Sequence, residues 1–235
     1  GIRNANDAIS LIQTADGALA ITDEKLIRMK ELAEQAATGT YNSDQRLMID
    51  SEYQAMASEI TRIANSTKFN GIYLLNGTLH LPHNGSGLGN DGRLKIHFGT
   101  GNDAAEDYYY IEIFECTAEA LGVGNNAHAW AGQDARAVST QELAQRALDG
   151  ITLAITSKDQ ERARLGALQN RLENTVSSLQ IQAENLQAAE SRISDVDVSS
   201  EMTEFVRSQI LTQSAVSMLS QANSLPQMAL SLISG

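Results

Sequence analysis

The feature that most constrains the fold is a long stretch of helix-forming sequence between residues 139 and 235, in which apolar residues follow a heptad-like spacing. This spacing places them along one side of an α-helix, as in a coiled coil. A single helix cannot bury such a stripe by itself, so we expect the helix to need a partner. The residues of this stripe, called the seam below, are Leu165, Leu168, Leu172, Val176, Leu179, Ala183, Leu186, Ala189 and Ile193.

The N-terminal part of the chain carries a second stripe with the same spacing, from Ile12 to Ala36. It predicts a long first helix, which we expect to be the partner of the seam. Asn42, followed three residues later by Gln45, is typical of a capping box that opens a second helix. Because the link between the two helices is only a few residues long, we expect them to lie antiparallel.

The pattern changes after the second helix. The Asn-Gly pairs at 70–71 and 76–77 are typical of β-hairpin turns, and we expect the second pair to join strands at 72–75 and 78–81. Alternation of apolar and polar residues predicts two further strands, at 93–98 and 108–114.

Helical patterns return in the C-terminal part of the chain. Ser139 with Glu142 is another candidate capping box. A polar break from Asp195 to Ser200 precedes a last amphipathic helix, which Pro226 should end or kink. The apolar side chains of that helix are Met202, Phe205, Val206, Ile210, Met218, Leu219 and Leu225.

These elements define a mainly α fold class with a small β region. The simplest arrangement is an elongated antiparallel helical rod with a β-hairpin insertion and a projecting C-terminal helix. The predicted divisions are residues 1–76 and 139–196, which form the two halves of the helical core, 77–138, a β-rich insertion, and 197–235, the C-terminal helix.

Composition excludes several classes of function. The net charge is −12 and the 17 basic residues form no cluster, which argues against a nucleic-acid partner. No apolar run approaches the roughly 20 residues of a membrane span. Cys116 is the only cysteine, so a disulfide framework and a cysteine-based zinc site are excluded.

One alternative is an enzyme. His80, His83 and His97 could bind a metal ion and support a metal-dependent hydrolase in the insertion. The spacing lacks the helical His-Glu-x-x-His pattern, so exposed turn and strand histidines are the better interpretation and we expect no catalytic residue, metal or cofactor. A coiled-coil adaptor is a further alternative.

Several separated segments closely resemble bacterial flagellin, in the order found in that family. They cover residues 1–76 and 139–235. In the N-terminal part the segments are RNANDAIS at 3–10, QTADGAL at 13–19, ELAEQA at 31–36 and KFNG at 68–71. In the C-terminal part they are GALQNRL at 166–172, ENL at 184–186, AESRISDVD at 189–197 and QAN at 221–223.

The resemblance implies a structural subunit that polymerises with other flagellin subunits into the extracellular filament used for motility. It also implies that the C-terminal helix lines the inner tube of the filament, and that an export chaperone covers this helix in the cytoplasm. Members of the family begin roughly sixty residues earlier, so we expect that an N-terminal helix is missing here and that the chain stays unpolymerised. We further expect residues 198–235 to be either disordered or held by the chaperone.

The resemblance also implies recognition by Toll-like receptor 5 of animal hosts. The matching positions are Arg28, Leu32 and Glu52. Arg28 and Leu32 are four residues apart and lie off the stripe through Leu26 and Met29, so we expect both to face outward.

Overall fold

The computed structural model describes residues 1–80, 92–103, 106–124, 135–194 and 198–233. Most of them lie in four α-helices, namely α1 (Ile2–Ala37), α2 (Ser43–Ser66), α3 (Gln141–Ser194) and α4 (Val198–Ile233). Four short strands form two antiparallel pairs. In the first, β1 (Lys68–Phe69) pairs with β2 (Ile72–Tyr73), and in the second, β3 (Leu94–His97) pairs with β4 (Tyr108–Ile111). The mainly α fold class with a small β region is confirmed.

The chain divides into two compact units, residues 1–180 and 181–235. The division falls inside α3, so it coincides with none of the predicted domain boundaries, and those boundaries remain a prediction. Both clusters of buried apolar residues lie in the first unit.

The first unit is built on α1, whose buried side chains face both α2 and α3. One cluster joins the second half of α1, from Leu26 to Ala36, to α2 between Ile49 and Ile60 and to the start of α3. The other joins the first half of α1 to Ile63 and Ala64 of α2 and to Leu165 and Leu172 of α3. Both α2 and α3 therefore run antiparallel to α1, as the short link and the matching stripes predicted.

The capping box at the start of α2 is confirmed. Asn42 Oδ1 accepts a hydrogen bond from the Gln45 backbone N–H at 2.8 Å, and Gln45 Oε1 accepts one from the Asn42 N–H at 3.0 Å. These bonds satisfy two backbone donors that the first turn of a helix leaves free, so this helix start is fixed locally.

The hairpin turn at Asn70-Gly71 is also confirmed. Both residues have positive φ angles, 49° and 83°, as a two-residue type I′ turn requires. The turn joins β1 to β2, with Phe69 opposite Ile72.

Two other predictions at element ends are wrong, and a third is wrong in part. The Asn76-Gly77 pair joins no strands, because Ile72 and Tyr73 already pair with β1 and residues 78–80 form a 3₁₀ turn. Thr140, rather than Ser139, caps α3, since its hydroxyl accepts the Leu143 N–H at 3.2 Å. Pro226 does not end α4, which continues to Ile233, and a kink at this residue stays a prediction.

The segment between β4 and α3 contributes to the core, which the sequence did not indicate. Ile113 and Cys116 are buried with the first half of α1, next to Ile111 at the end of β4. Residues 135–138 are attached to α2, where the Tyr53 hydroxyl donates to the Ala135 carbonyl at 2.6 Å. The region predicted as an insertion is thus partly buried in the core of the first unit.

The seam is covered only along its first part. Leu165 and Leu172 are 0% and 1% exposed, whereas Leu186 and Ile193 are 70% and 87% exposed. The predicted pairing of the whole seam with the Ile12–Ala36 stripe is therefore wrong beyond about Leu179. The buried residues of α1 reach along α3 only as far as Leu172 and Val176.

Candidate interaction surfaces

A charged cluster on the outside of α1 and α2 is centred on Arg28. Its Nε and Nη2 donate to Glu52 Oε1 at 3.0 and 2.7 Å, and its Nη1 donates to Glu31 Oε2 at 2.9 Å. All three side chains are close to half exposed. The hydrogen bonds from Glu52 and then from Glu31 raise the pKa of Arg28, so the group remains cationic at any physiological pH.

Leu32 does not share this exposed surface. Its side chain is 1% exposed and packs in the cluster with Leu26, Met29 and Tyr53. The expectation that Leu32 faces outward is wrong, because α1 is covered by two helices and its buried face is wider than one stripe. The structure thus brings Arg28 and Glu52 together at the surface and leaves Leu32 in the core.

The second surface is formed by the apolar side chains of α4, the segment Val198–Ile233. We call it the α4 surface. These residues form a helix, so the alternative that the segment is disordered does not describe this structure. The predicted members Met202, Phe205, Val206, Ile210, Met218 and Leu219 are 54%, 61%, 45%, 56%, 74% and 62% exposed. The side chain of Leu225 lies outside the described residues.

The α4 surface is wider than the sequence analysis predicted. Exposed apolar side chains at consecutive positions, such as Ile210 with Leu211, point about 100° apart around the helix axis, so they widen the surface beyond a narrow stripe. The same consecutive pairs are visible in the sequence and could have indicated a helix that is apolar on several sides. The additional exposed members are Val198, Leu211, Val216, Met228, Leu230 and Leu232.

The histidines take part in other contacts. His80 Nδ1 lies 2.8 Å from Glu112 Oε1, and its ring packs on Phe114 with centroids 4.2 Å apart. His97 is in β3 and stacks on Tyr108, while His83 lies outside the described residues. Among the described residues there is no group of three potential metal ligands.

Comparison with known proteins matches both ends of this fold to one family. A model described as the bacterial flagellin N-terminal helical region matches residues 1–80, and one described as the C-terminal helical region matches residues 148–233. The first match spans α1, α2 and the β1–β2 hairpin, and the second spans most of α3 and all of α4. The expectation of a missing preceding helix is neither confirmed nor contradicted by these matches.

Similar curated proteins and solved structures agree with this assignment. The chain is 37% identical to flagellin FlaB1 of Treponema pallidum over 98% of this chain and 77% of that protein. It is 39% identical to flagellin of Bacillus subtilis over 98% of this chain and 79% of that protein. The crystal structure of Bacillus cereus flagellin superposes with a TM-score of 0.58 at 29% identity, over 80% of this chain and 95% of that one.

These matches define a structural protein of the flagellar filament. The chain belongs to the bacterial flagellin family. Flagellins are structural filament proteins and not enzymes. Among the described residues, no helix combines the length and the apolar character that crossing a membrane requires.

Proposed function

We propose that this protein polymerises through the α4 surface and the uncovered part of the seam. The observation that carries the proposal is the exposure of the apolar side chains of α4, from 45% to 84%. Monomeric proteins rarely leave so many large apolar side chains in contact with water, and such surfaces are typical of interfaces. In a filament, neighbouring copies bury them and the hydrophobic effect drives assembly.

Seeded sedimentation tests this proposal. We expect the purified chain to pellet with short filaments sheared from flagella of the source organism. Phe205→Asp should reduce the pelleted fraction by about tenfold or more, because an unpaired carboxylate would be buried at the interface.

Ser208→Asp introduces the same charge at another exposed position of α4 and is the matched control. Failure of the wild-type chain to pellet with seeds, or an equal loss in the control, would contradict the proposal. Incubation without seeds tests the separate expectation that the chain alone stays unpolymerised.

We also propose that an export chaperone covers the α4 surface in the cytoplasm, before the subunit is exported and assembled outside the cell. The large apolar surface supports this, because uncovered it would promote premature association. Light scattering of the chain with and without its chaperone should show a defined complex that Phe205→Asp weakens. An unchanged mass on adding chaperone would count against it.

We propose, finally, that Arg28 and Glu52 form a surface recognised by Toll-like receptor 5, with Leu32 supporting it from beneath. The exposure and mutual hydrogen bonding of the two charged residues support this, since the bonds hold the guanidinium in one orientation.

A reporter-cell assay can decide the receptor proposal. Arg28→Ala should reduce receptor signalling, whereas Arg3→Ala, which removes an exposed arginine elsewhere on α1, should leave it unchanged. Equal signals from wild type and Arg28→Ala would refute the role of this surface.

A further inference from the structure

The backbone that follows β3 surrounds the carboxylate of Asp107. The Gly101 N–H donates to Asp107 Oδ1 at 3.0 Å, and the Asp103 N–H donates to Asp107 Oδ2 at 2.8 Å. We call residues 99–103 the cradle. Each oxygen of the carboxylate therefore accepts a hydrogen bond from a different backbone donor of the cradle, and the negative charge strengthens both bonds.

The backbone of Asp107 is bonded to the same segment. Its carbonyl oxygen accepts from the N–H groups of Phe98 and Gly99 at 2.9 and 3.0 Å, and its own N–H donates to the Asp103 carbonyl at 2.9 Å. Phe98 anchors the base of the cradle, since its side chain is 8% exposed and its ring centroid lies 4.7 Å from that of Tyr109. Asp107 is therefore the residue that ties the cradle to the start of β4.

Two glycines let the cradle approach the carboxylate closely. A Cβ atom at Gly99 would overlap Asp107 Oδ1, and one at Gly101 would lie 2.6 Å from Asp107 Oδ2. Backbone N–H groups that converge in this way form concave sites that bind anions. Here the anion is a side chain of the protein itself, so the cradle and Asp107 form a closed unit.

The surroundings of Asp107 favour its ionised form. The N–H groups of Asp103 and Gly101 lower the pKa of Asp107, partial burial acts in the opposite direction, and His97 of β3 and the Thr100 backbone lower it further. The net result is a lowered pKa, which agrees with the two hydrogen bonds that the carboxylate accepts.

Four other charged or titratable side chains lie at this end of the strand pair, namely Lys95, Asp103, Glu106 and Tyr108. Lys95 Nζ donates to Asn102 Oδ1 at 2.9 Å and lies 3.6 Å from the centre of the Tyr108 ring. Neither a lysine nor a tyrosine changes its charge in acid. Asp103 and Glu106 are exposed, whereas Asp107 is half-buried, so Asp107 is the acid-titrating side chain that the cradle encloses.

We propose that Asp107 is an acid-released latch, which holds the cradle closed when it is ionised and lets the cradle open when it is protonated. The direction follows from the two contacts. Because each oxygen accepts from a different N–H, a proton on either oxygen turns one acceptor into a donor that faces another donor. One of the two hydrogen bonds is then lost, together with the charge that strengthened both.

The pH range of release follows from the same contacts. Because the pKa of Asp107 is lower in the closed state than in the open one, the stability of the latch is fully present above the ordinary aspartate value of about 3.9. It is lost as pH falls through the lowered value.

Release would free the cradle while leaving the pairing of β3 with β4 in place. The latch belongs to the part of the chain between the regions matched by the two family models. An acid response at this site therefore requires no change in the helices that those models describe.

Nuclear magnetic resonance of the whole chain tests the proposal between about pH 6 and about pH 2. We expect the carboxyl carbon of Asp107 to titrate with a midpoint below about 3.9, and the Gly101 and Asp103 amide signals to shift with the same midpoint. Hydrogen-exchange protection of these two amides, corrected for the intrinsic pH dependence of exchange, should fall several-fold across it.

Amides in the middle of α1 report on the global fold during this titration. A midpoint at or above about 3.9, or amide signals that do not follow Asp107, would overturn the proposal. Loss of protection in α1 over the same pH range would also overturn it, because the transition would then be global unfolding.

Two variants test the latch without acid. Asp107→Asn resembles the protonated side chain, because its amide N–H₂ would face one of the two backbone donors, so exchange at Gly101 and Asp103 should be several-fold faster at about pH 6. Glu106→Gln removes a neighbouring exposed carboxylate and is the matched control, which should exchange like the wild type. Unchanged protection in Asp107→Asn, or an equal loss in the control, would refute the role of Asp107.

Discussion

At the scale of single residues, Lys158 shows how charge orients α3 against α1. Its side chain is 1% exposed, and its ammonium lies 2.5 Å from Asp23 Oδ1 and 2.7 Å from Asp159 Oδ1. One turn further along α3, Arg162 makes a two-point contact with Asp16 at 2.7 and 3.1 Å. Because a buried ammonium without a partner is costly, these pairs disfavour any other register of the two helices.

Substitution of Lys158 should separate the effect of its charge from that of its packing. Lys158→Ala removes both the ion pair and the buried stem, and we expect it to lower the free energy of unfolding by about 2 to 4 kcal/mol. Lys158→Met keeps the stem and should cost about 1 kcal/mol or less. Denaturant unfolding of both variants provides the measurement, and an equal loss in the two would show that packing of the stem is unimportant.

Cys116 offers a chemical test of the buried segment that follows β4. Its side chain is 3% exposed, and burial, followed by the charges of Glu161 and Glu115, raises the pKa of the thiol to about 12. The reactive thiolate should therefore be scarce below that pH. We expect reaction with a thiol reagent at about pH 8 to be slow in the native protein and fast after unfolding in denaturant; similar rates in the two states would contradict the buried position.

At the scale of elements, α3 carries one continuous apolar stripe with two different environments. Leu172 and Leu186 occupy equivalent positions of the heptad-like spacing, yet Leu172 is 1% exposed and Leu186 is 70% exposed. Periodicity identified both correctly as members of the seam. It could not predict which member is covered, because cover depends on how far α1 extends along α3.

These two leucines form a matched pair for measurement. Leu172→Ala should lower the free energy of unfolding by about 2 to 4 kcal/mol, because it creates a cavity in the core. Leu186→Ala should change the free energy of unfolding by less than about 0.5 kcal/mol, since the leucine side chain is already largely exposed and alanine favours helix. Comparable losses in the isolated chain would mean that the second part of the seam is buried after all.

At the scale of the whole molecule, the two units differ in what stabilises their helices. The first unit has two clusters of buried apolar residues, whereas the α4 side chains described in the second unit are almost all exposed. Most helical stability in proteins comes from packing an apolar face rather than from helix propensity. Residues 181–235 should therefore open at a much lower free energy than residues 1–180.

Limited proteolysis tests this difference. Trypsin should cleave after Arg192 and Arg207 before it cleaves within α1 or α2, leaving a resistant fragment that contains both core clusters. Mass spectrometry of early digestion products identifies the sites. First cuts inside α1 or α2 would contradict the proposed order of stability.

The sequence by itself determined which segments are helical, where α2 begins and that residues 70–71 form a turn. These features depend on side chains and dihedral angles within about four residues of one another, so periodicity and capping patterns are sufficient to predict them. The family resemblance likewise rested on local segments, RNANDAIS and AESRISDVD among them, which the family matches confirm.

Only the tertiary structure decided that Leu32 is buried, that the seam is uncovered beyond Leu179 and that the Phe114 N–H donates to Glu161. Each depends on residues far apart in the sequence, as when Phe114 meets Glu161 or Lys158 meets Asp23. Burial is a property of the packed arrangement of α1, α2 and α3, and a one-dimensional pattern cannot specify how many neighbours a helix face will have.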